Sequence, residues 1–363
     1  MNICWITRAA IVEREGRPYS GHAAVRMRAL MPADELRRRG HQTRVLQLPD
    51  DFGAALPVSC EVAVLDQLLP VGTETVDAAG VRMLALIAEL QRDGAKVVAD
   101  IHDDHFSVPG KSVYFRALVQ AADAVTASTW PMAQVIAAHS GRPVHVIGDP
   151  YEGPRGQPQF APVGGHRWLR GLRRAFGSAQ ARRLELAWFG HQSNLHTIYD
   201  LAQQLAPLGK RWPMRITLVC ASGFGAEDFS EMFNHYHGRH CRIAFSPWSL
   251  ETTWQALRDC DLAVIPSAVE RQVKQVKSAN RLIEILQAGK LPVAHPLPAY
   301  QPFAAYAWIG ADIAAGIEWA LANAPEVRAR IDAGQHYLDA NYSPGVLARQ
   351  WEHALNSIAE IKR

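Results

Sequence analysis

Short runs of apolar, mostly β-branched residues alternate in the first 150 residues with longer stretches whose apolar positions recur every three or four residues. The short runs are typical of strands buried in a parallel sheet, and the longer stretches predict amphipathic helices. Their alternation predicts βαβ units with helices on both faces of the sheet. The predicted strands are NICWIT, HQTRVLQL, EVAVLDQ, AKVVADIHD, DAVTAS and VHVIGD.

The same alternation resumes after residue 183, with the strands LELAWFG, MRITLVCAS, CRIAFSPW, DLAVIPS and LPVAHP. Between the two sets, residues 151–166 are rich in proline and glycine, and the basic stretch RWLRGLRRAF follows at 167–176. Because 363 residues exceed the size of one ordinary core, we predict two α/β domains. The predicted division is an N-terminal domain at 1–150, a linker with a basic helix at 151–183, a C-terminal domain at 184–342, and a terminal helix at 343–363 that packs back on the N-terminal domain.

Two doubly wound, Rossmann-like domains facing across a cleft would bring the carboxyl ends of both sheets together. Ligands of such sheets bind outside the carboxyl ends of the strands. Functional residues are therefore expected in the loops that follow the strands.

Composition narrows the class of protein. The net charge of +3, with 48% hydrophobic and 20% charged residues, is that of a folded chain without a large basic face for nucleic acid. Five scattered cysteines indicate buried thiols in a reducing compartment. No signal-peptide pattern or apolar run of about 18 residues is present, which predicts a cytoplasmic protein. The basic stretch leaves the inner face of the membrane as an alternative location.

GxSxG, P-loop, HExxH and GxGxxG motifs are absent, which argues against hydrolase, kinase-like and dehydrogenase classes.

The segment 274–296, KQVKSANRLIEILQAGKLPVAHP, gathers charge around the start of an apolar helix, with Ser278 as the predicted N-cap and Gly289 as the stop. The unpaired N–H groups of a first helical turn form an anion site. Basic side chains there oppose the helix dipole and cost stability unless an anion lies among them. The segment therefore predicts a diphosphate site. The basic side chains at this end of the helix are Arg271, which precedes the segment, and Lys274, Lys277 and Arg281.

Glu284 shares one helical face with Lys277, Asn280 and Arg281. A carboxylate one turn into such a helix is well placed to accept hydrogen bonds from the two hydroxyls of a ribose. The alternative is that Glu284 only pairs with Arg281 on a solvated face and that the lysines belong to a surface loop. Charge and spacing favour both interpretations equally.

The run DLAVIPS…VKSANRLIEILQAGKLPVAHP resembles the nucleotide-binding half of retaining glycosyltransferases with the two-domain GT-B fold, of the glycosyltransferase family 4 or "glycosyl transferases group 1" kind. Two further stretches, LAWFGHQSNLHTI and ADELRRRGHQTRVLQL, are similar to the glycine turn of the C-terminal domain and to an N-terminal pattern of that family. The resemblance implies an enzyme that needs no metal or cofactor and uses a nucleoside diphosphate sugar as donor substrate. UDP and GDP are the expected nucleotides.

The resemblance also implies roles for individual residues. Glu284 matches the second glutamate of a paired-glutamate motif, the one that holds the ribose, whereas the first glutamate would fall at Val276. The basic pair that follows the glycine turn in the family is missing, so Lys274 and Lys277 are expected to contact the diphosphate instead. The remaining expected donor-binding residues are Gly190 and Asn194 at the glycine turn and Ser278, Ala279 and Asn280 at the helix start.

The cluster ADIHDDHF at 99–106 follows a predicted strand of the N-terminal domain. Imidazole and carboxylate groups are common ligands of zinc or manganese, so a metal site is one interpretation. Through the resemblance, His102 and Asp103 match the HD pair that ends the corresponding strand, and His102 is expected to contact the transferred sugar. We favour this catalytic interpretation, without a metal, over a metal site and over a polar strand end with no function.

The first strand-to-helix loop carries Ser20, Gly21 and His22, and the helix after it carries Arg26 and Arg28. By the same resemblance, this loop is expected to contact the acceptor or to close over the donor, with Ser20, Gly21, His22 and Arg26 as the residues involved. The alternative is an ordinary helix start with solvated arginines.

These observations predict a glycosyltransferase of carbohydrate biosynthesis that uses a glycan, a lipid-linked sugar, a small molecule or a protein as acceptor. The predicted partners include no nucleic acid, and membrane contact is at most peripheral. A nucleotide-sugar 2-epimerase of the same fold is one alternative. A catalytically silent nucleotide-sugar-binding protein is another, and Val276 is the feature that supports it.

Overall fold

The computed structural model describes residues 1–49, 52, 59–67, 76–161, 183–223, 225–239 and 241–360. The basic stretch predicted at 167–176 lies outside the described residues. Contacts within the chain divide it into two compact units. Unit 1 consists of Met1–Tyr151, Gln275–Ser278 and Ala340–Arg363, and unit 2 consists of Glu152–Lys274 and Ala279–Asp339.

Unit 1 contains a six-stranded parallel sheet and a short antiparallel hairpin. The strands are β1 (Asn2–Thr7), β2 (Val12–Arg14), β3 (Arg17–Tyr19), β4 (Gln42–Gln47), β5 (Val62–Asp66), β6 (Lys96–Ile101), β7 (Ala124–Ala127) and β8 (Val144–Val146). The helices are α1 (Ala23–Val25), α2 (Met31–Arg38), α3 (Val76–Arg92), α4 (Ser112–Ala121), α5 (Trp130–Ser140) and the terminal α13 (Pro344–Ala359). The strand order in the sheet is β4-β1-β5-β6-β7-β8, and β2 pairs with β3.

Unit 2 contains a second six-stranded parallel sheet, in the order β11-β10-β9-β12-β13-β14. Its strands are β9 (Leu184–Phe189), β10 (Met214–Cys220), β11 (Cys241–Pro247), β12 (Leu262–Ile265), β13 (Leu291–Ala294) and β14 (Trp308–Ile309). The helices that begin in unit 2 are α6 (Leu195–Gly209), α7 (Ala226–His237), α8 (Leu250–Asp259), α9 (Gln272–Gln275), α10 (Asn280–Gln287), α11 (Ile313–Ala322) and α12 (Ala324–Asn341).

Each sheet has one position where the chain changes direction across the sheet. In unit 1 this switch point lies between β1 and β5, and in unit 2 it lies between β9 and β12. The loops after these strands diverge to opposite faces and leave a crevice, which is where doubly wound sheets bind ligands. Ligand-binding residues are therefore expected after β1 and β5 in unit 1, and after β9 and β12 in unit 2.

The first helical region changes its winding before a proline. A π-helical turn, Arg26–Leu30, separates α1 from α2, and Pro32 occupies the first turn of α2. Proline has no N–H to donate to a carbonyl of the preceding turn. The π-helical turn accommodates this missing hydrogen bond of the α-helix. The turn buries Arg26 and Arg28, which are 6% and 2% exposed. The alternative of solvated arginines is wrong for both residues.

The terminal helix α13 completes the core of unit 1. Trp351 and Leu355 lie in the same buried cluster as Ile3 and Trp5 of β1. The rings of Trp5 and Trp351 meet edge to face, with centroids 6.0 Å apart.

Among the helices of the described residues, none combines the length and the apolar character that a membrane span requires.

Candidate functional site

The glycine turn after β9 is the first element of the site in unit 2. A Cβ added at Gly190 would lie 3.2 Å from the ring of Trp188 and 3.6 Å from Nη1 of Arg281. Glycine therefore avoids a tight contact with the Trp188 ring, and Nη1 of Arg281 lies at ordinary contact distance from the turn. A one-turn 3₁₀ helix, Gln192–Asn194, leads from this glycine into α6.

Two cationic side chains, one from α9 and one from α10, lie beside this turn. Nζ of Lys274 donates to Oδ1 of Asn194 at 2.6 Å. Nη1 of Arg281 is buried and makes no hydrogen bond among the described residues. Burial raises the pKa of the Tyr300 hydroxyl, while a hydrogen bond with Arg281 and its positive charge lower it, and the net direction is upward. Lys274 and Arg281 thus bring positive charge to this turn, which lacks the basic pair that the resemblance leads one to expect.

The helix α10 begins beside this cluster without a side-chain cap. Its first residue is Asn280 and its N-cap is Ala279, which offers no side-chain hydrogen bond. The N-cap expected at Ser278 is therefore wrong by one position, and Ser278 belongs to unit 1. Because no side chain caps the first turn, its backbone N–H groups remain suited to an anion.

Glu284 is buried in unit 2, with 7% of its surface exposed. Its Oε1 accepts from the backbone N–H of Glu152 at 2.7 Å, and its Oε2 accepts from that of Gly153 at 3.0 Å. The alternative of a solvated ion pair with Arg281 is wrong because the carboxylate is buried. Contact with a ribose stays a prediction, and a ribose would have to share this carboxylate with the two amides.

Two further polar residues follow β12 and β13, and sequence reasoning missed both. The backbone N–H of Ser267 lies 3.1 Å from Nδ1 of His295, and this Nδ1 lies 2.9 Å from the carbonyl of Ser267. Oγ of Ser267 and Nε2 of His295 are buried and have no hydrogen-bond partner within the described ranges. Ser267 is the last residue of the predicted strand DLAVIPS and His295 the second-last of LPVAHP, and that position was the signal available in the sequence.

In unit 1, His102 and Asp103 follow β6 and are held by their backbone. Oε1 of Gln67 accepts from the N–H of His102 at 3.0 Å and from that of Asp103 at 2.8 Å. Nδ1 of His102 lies 3.8 Å from Oδ1 of Asp66, the last residue of β5. Asp66 is the residue that sequence reasoning missed here. Burial raises the pKa of its carboxyl, although His102 nearby acts in the opposite direction.

Asp103 forms an ion pair with Lys277 inside unit 1. Burial acts to raise the pKa of Asp103, but the charge of Lys277 and its hydrogen bond outweigh burial and lower it. Lys277 was predicted to contact the diphosphate, and that contact stays a prediction. Lys274, its predicted companion, belongs to unit 2.

Val276 occupies the position where the resemblance expects a glutamate. Its side chain is 3% exposed and belongs to the hydrophobic core of unit 1, together with Phe115 and Met132. Oγ1 of Thr129 donates to the Val276 carbonyl at 2.8 Å. The valine is therefore a packed core residue at this position.

Among the residues that the structure describes, Asp66, Asp100 and His102 form the group that could hold a metal ion, with ligand atoms within 4.8 Å of one another. The sequence cluster 99–106 does not converge as a whole: Asp104 instead accepts from the N–H groups of the loop that follows it. Asp100 already binds the Arg28 guanidinium through both of its oxygens. A cation beside that guanidinium would be repelled, so the donor set fits a metal poorly.

The first loop of unit 1 is closed by its own hydrogen bonds. Oγ of Ser20 donates to the carbonyl of Ala10 at 2.7 Å, and Nη1 of Arg26 donates to the carbonyls of Ser20 and Gly21 at 2.9 and 3.0 Å. A Cβ at Gly21 would meet open space, and His22 is exposed. These contacts build the loop, and its contact with an acceptor or donor stays a prediction.

Comparison with solved structures identifies the fold. No protein-family model matches this chain, and no curated protein sequence matches it. HepE from Anabaena, solved in complex with UDP-glucose, is 14% identical with a TM-score of 0.63, over 98% of this chain and 100% of that one. A glycosyltransferase from Rickettsia africae is 10% identical with a TM-score of 0.63, over 99% of both chains. An α-glucosyltransferase solved with UDP-glucose and DNA is 11% identical with a TM-score of 0.60, over 99% of both chains. The fold predicted from the sequence is thus confirmed, and the chain has the GT-B fold of glycosyltransferases.

Proposed function

We propose that this protein is a glycosyltransferase that takes a sugar from a nucleoside diphosphate sugar bound by unit 2. The observation that carries the proposal is the pair of cations at the glycine turn. Lys274 is bound by Asn194, and Nη1 of Arg281 is buried without a hydrogen-bond partner among the described residues. A buried guanidinium nitrogen without a hydrogen-bond acceptor costs free energy, and a diphosphate would supply the acceptor and the opposite charge.

The position of this pair supports a nucleotide site. The turn follows β9, which borders the switch point of unit 2, and Ser267 follows β12 on the other side of that point. Diphosphates in doubly wound sheets bind in this crevice against a helix N-terminus, and the uncapped start of α10 provides one. Glu284 would contact the ribose, as the resemblance implies.

Two further features of the proposal rest on likeness. HepE was solved with UDP and with UDP-glucose, which makes UDP the first nucleotide to test and GDP the second. Metal-independent transfer with retention and a place in carbohydrate biosynthesis come from the sequence resemblance, and the cytoplasmic location is the prediction made from the sequence pattern. In such a reaction, Lys274 and Arg281 would stabilise the departing diphosphate electrostatically.

We expect Arg281→Gln and Lys274→Gln each to weaken the binding of a UDP sugar by about 10-fold or more, because each removes a charge-assisted hydrogen bond to phosphate. Calorimetric titration of the wild type with UDP, GDP, dTDP and ADP sugars identifies the donor and gives the reference affinity. Arg258→Gln is the matched control, since Arg258 is an arginine of α8 whose hydrogen bond among the described residues goes to the side chain of Gln255 at 2.6 Å.

Wild type that binds none of these nucleotides, or Arg281→Gln that binds as tightly as Arg258→Gln, would contradict the proposal. Lys277→Ala belongs in the same series. If its affinity equals that of the wild type, Lys277 does not contact the diphosphate and its ion pair with Asp103 is its role.

A catalytically silent nucleotide-sugar-binding protein is the second candidate, and Val276 in the core favours it. The expected glutamate is absent, and its position is filled by a packed valine. Donor binding without release of UDP, with or without added acceptors, would select this candidate. An epimerised sugar in the NMR spectrum of the products would select the 2-epimerase instead.

A further inference from the structure

Ser267 and His295 form a polar pair at the carboxyl edge of the sheet in unit 2. Ser267 lies two residues after β12, which borders the switch point, and His295 comes directly after the neighbouring strand β13. The N–H of His295 donates to the carbonyl of Ile265 at 3.1 Å, so the pairing of the two strands continues to this edge. The pair therefore lies where doubly wound sheets bind ligands.

The ring of His295 is held against the backbone of Ser267 through one nitrogen. Nδ1 of His295 lies 3.1 Å from the N–H of Ser267 and 2.9 Å from its carbonyl oxygen. In one tautomer Nδ1 accepts from this N–H, and in the other it donates to this carbonyl. Nδ1 thus has a partner in both tautomers, and Nε2 is the ring nitrogen left for another group.

Two polar atoms of the pair lack such a partner. Oγ of Ser267 and Nε2 of His295 are buried and make no hydrogen bond within the part of the chain that the structure describes. Ser267 as a whole is 8% exposed, and His295 is half-buried. Buried polar atoms are normally paired, and an unpaired one costs free energy. The two atoms are therefore suited to a ligand that brings its own hydrogen-bonding groups.

The chemistry of these atoms favours a hydroxyl group as the ligand. A serine hydroxyl both donates and accepts, and Nε2 of a neutral imidazole donates in one tautomer and accepts in the other. A ligand hydroxyl also donates and accepts, so it can pair with Oγ and with Nε2 in either tautomer. A phosphate oxygen accepts only, and the cations at the glycine turn already suit it.

The pair adjoins the proposed diphosphate site. Strand β12 lies between β9 and β13 in the sheet, so the glycine turn is on one side of Ser267 and His295 is on the other. The loop that begins at His295 reaches Tyr300, whose side chain forms a hydrogen bond with Arg281. The sugar of a nucleotide sugar is bonded directly to the diphosphate. The group that binds next to the diphosphate is therefore the sugar or the nucleoside.

We propose that Ser267 and His295 bind hydroxyl groups of the sugar that the donor carries. This inference rests on the proposed function and assigns the sugar to the carboxyl ends of β12 and β13. Lys274 and Arg281 hold the diphosphate by charge, whereas this pair selects the sugar by hydrogen bonding. All four residues belong to unit 2. A site built in this way rejects a ligand without the hydroxyl, because its polar groups then stay unpaired.

The first test needs no ligand and measures urea unfolding. Ser267→Ala should be at least as stable as the wild type, because it removes a buried hydroxyl that has no partner. Ser249→Ala is the contrast, since Oγ of Ser249 accepts from the N–H of Thr252 at 3.0 Å and caps α8. Loss of that cap should lower stability. A Ser267→Ala protein destabilised as much as Ser249→Ala would overturn the inference, because its hydroxyl would then have a structural role.

The second test compares UDP-glucose with UDP by calorimetric titration. Ser267→Ala and His295→Asn should each weaken the binding of UDP-glucose by about 5- to 10-fold, the scale of one lost hydrogen bond, and leave the affinity for UDP unchanged. If the titration above identifies another nucleotide, its glucose conjugate and its free diphosphate are the two probes.

Two further variants make this test specific. His295→Gln should keep most of the affinity for UDP-glucose, because the glutamine amide reaches the position of Nε2 whereas the asparagine amide reaches that of Nδ1. Ser230→Ala is the matched control, since Oγ of this buried serine of α7 donates to the carbonyl of Ala226 at 3.0 Å. It should bind both probes as the wild type does.

An equal loss of affinity for UDP-glucose and UDP would overturn the inference, because the pair would then contact the nucleotide and not the sugar. Ser267→Ala and His295→Asn that bind UDP-glucose as tightly as Ser230→Ala would also overturn it. Both results leave the proposed function intact. Wild type that binds neither a nucleotide nor its sugar removes the proposed function and this inference with it, so the two failures are distinguishable.

Discussion

Replacement of Arg28 by methionine is expected to lower the free energy of unfolding of unit 1 by about 3–5 kcal/mol, the cost of breaking a buried ion pair. Nε and Nη2 of Arg28 donate to the two oxygens of Asp100 at 2.7 and 2.6 Å, and Nη1 donates to Asp149 at 2.7 Å. Nη1 also donates to the carbonyl of Ile147 at 2.8 Å. Without the guanidinium, two carboxylates that are 1% and 4% exposed remain buried without their cation. Hydrogen exchange of peptides from unit 1 in increasing urea measures the loss separately from unit 2.

A matched control is Arg38→Met, because Arg38 also has two acidic partners but its side chain is 60% exposed. Exposed pairs of this kind contribute about 0–1 kcal/mol, so this variant should unfold almost as the wild type does. The triple change Arg28→Met with Asp100→Asn and Asp149→Asn removes the uncompensated charges and should recover part of the loss. Equal stability of Arg28→Met and Arg38→Met would contradict this account of unit 1.

The buried sheets were predictable because parallel strands covered on both faces form continuous apolar runs. In β12 every position is buried, and its sequence LAVI is an uninterrupted apolar run between Asp261 and Pro266. The predicted strands are all present, and their ends differ from the observed ones by at most three residues. The hairpin of β2 and β3 was not predicted, because its residues are mostly exposed and carry no apolar run.

The partners of buried charges were not predictable from local pattern. Arg28 looked like a residue on a solvated helix face, and its partners Asp100 and Asp149 are 72 and 121 residues away along the chain. Glu284 likewise binds the backbone of Glu152, 132 residues away. No spacing rule connects such residues, because the contact forms only after the sheet has brought distant loops together.

Part of the candidate site could have been predicted once the strand order was known. Asp66, Ser267 and His295 all stand at the ends of predicted strands, and the order of strands shows which of these ends border a switch point. Strand order is a tertiary property that a single sequence leaves open. With the order known, Asp66 and Ser267 become candidates for the same reason as Gly190.

Val276→Glu would place the first glutamate of the resembled family at its expected position, and we expect it to destabilise unit 1 without adding activity. The side chain at this position is 3% exposed and belongs to a hydrophobic core. A carboxyl group there loses its hydration without gaining a charged partner, at a cost of about 2–5 kcal/mol near neutral pH. Burial also raises the pKa of such a carboxyl in the folded state above its unfolded value.

The pH dependence of the free energy of unfolding distinguishes the effect of the glutamate's charge from the effect of its size. Above the unfolded pKa of about 4.3, the unfolded glutamate releases its proton first and binds fewer protons than the folded one, so stability falls as pH rises. Val276→Gln has the same size without the charge, and it should lose stability by an amount that pH does not change. Urea unfolding of both variants at about pH 5 and about pH 8 should therefore give similar values at the lower pH and a weaker Val276→Glu at the higher. A Val276→Glu protein that is as stable as Val276→Gln at both pH values would contradict burial of the carboxyl group. One that releases UDP from UDP-glucose faster than the wild type would contradict the expectation that the change adds no activity. Faster release of UDP would identify position 276 as one at which a valine has replaced a catalytic glutamate.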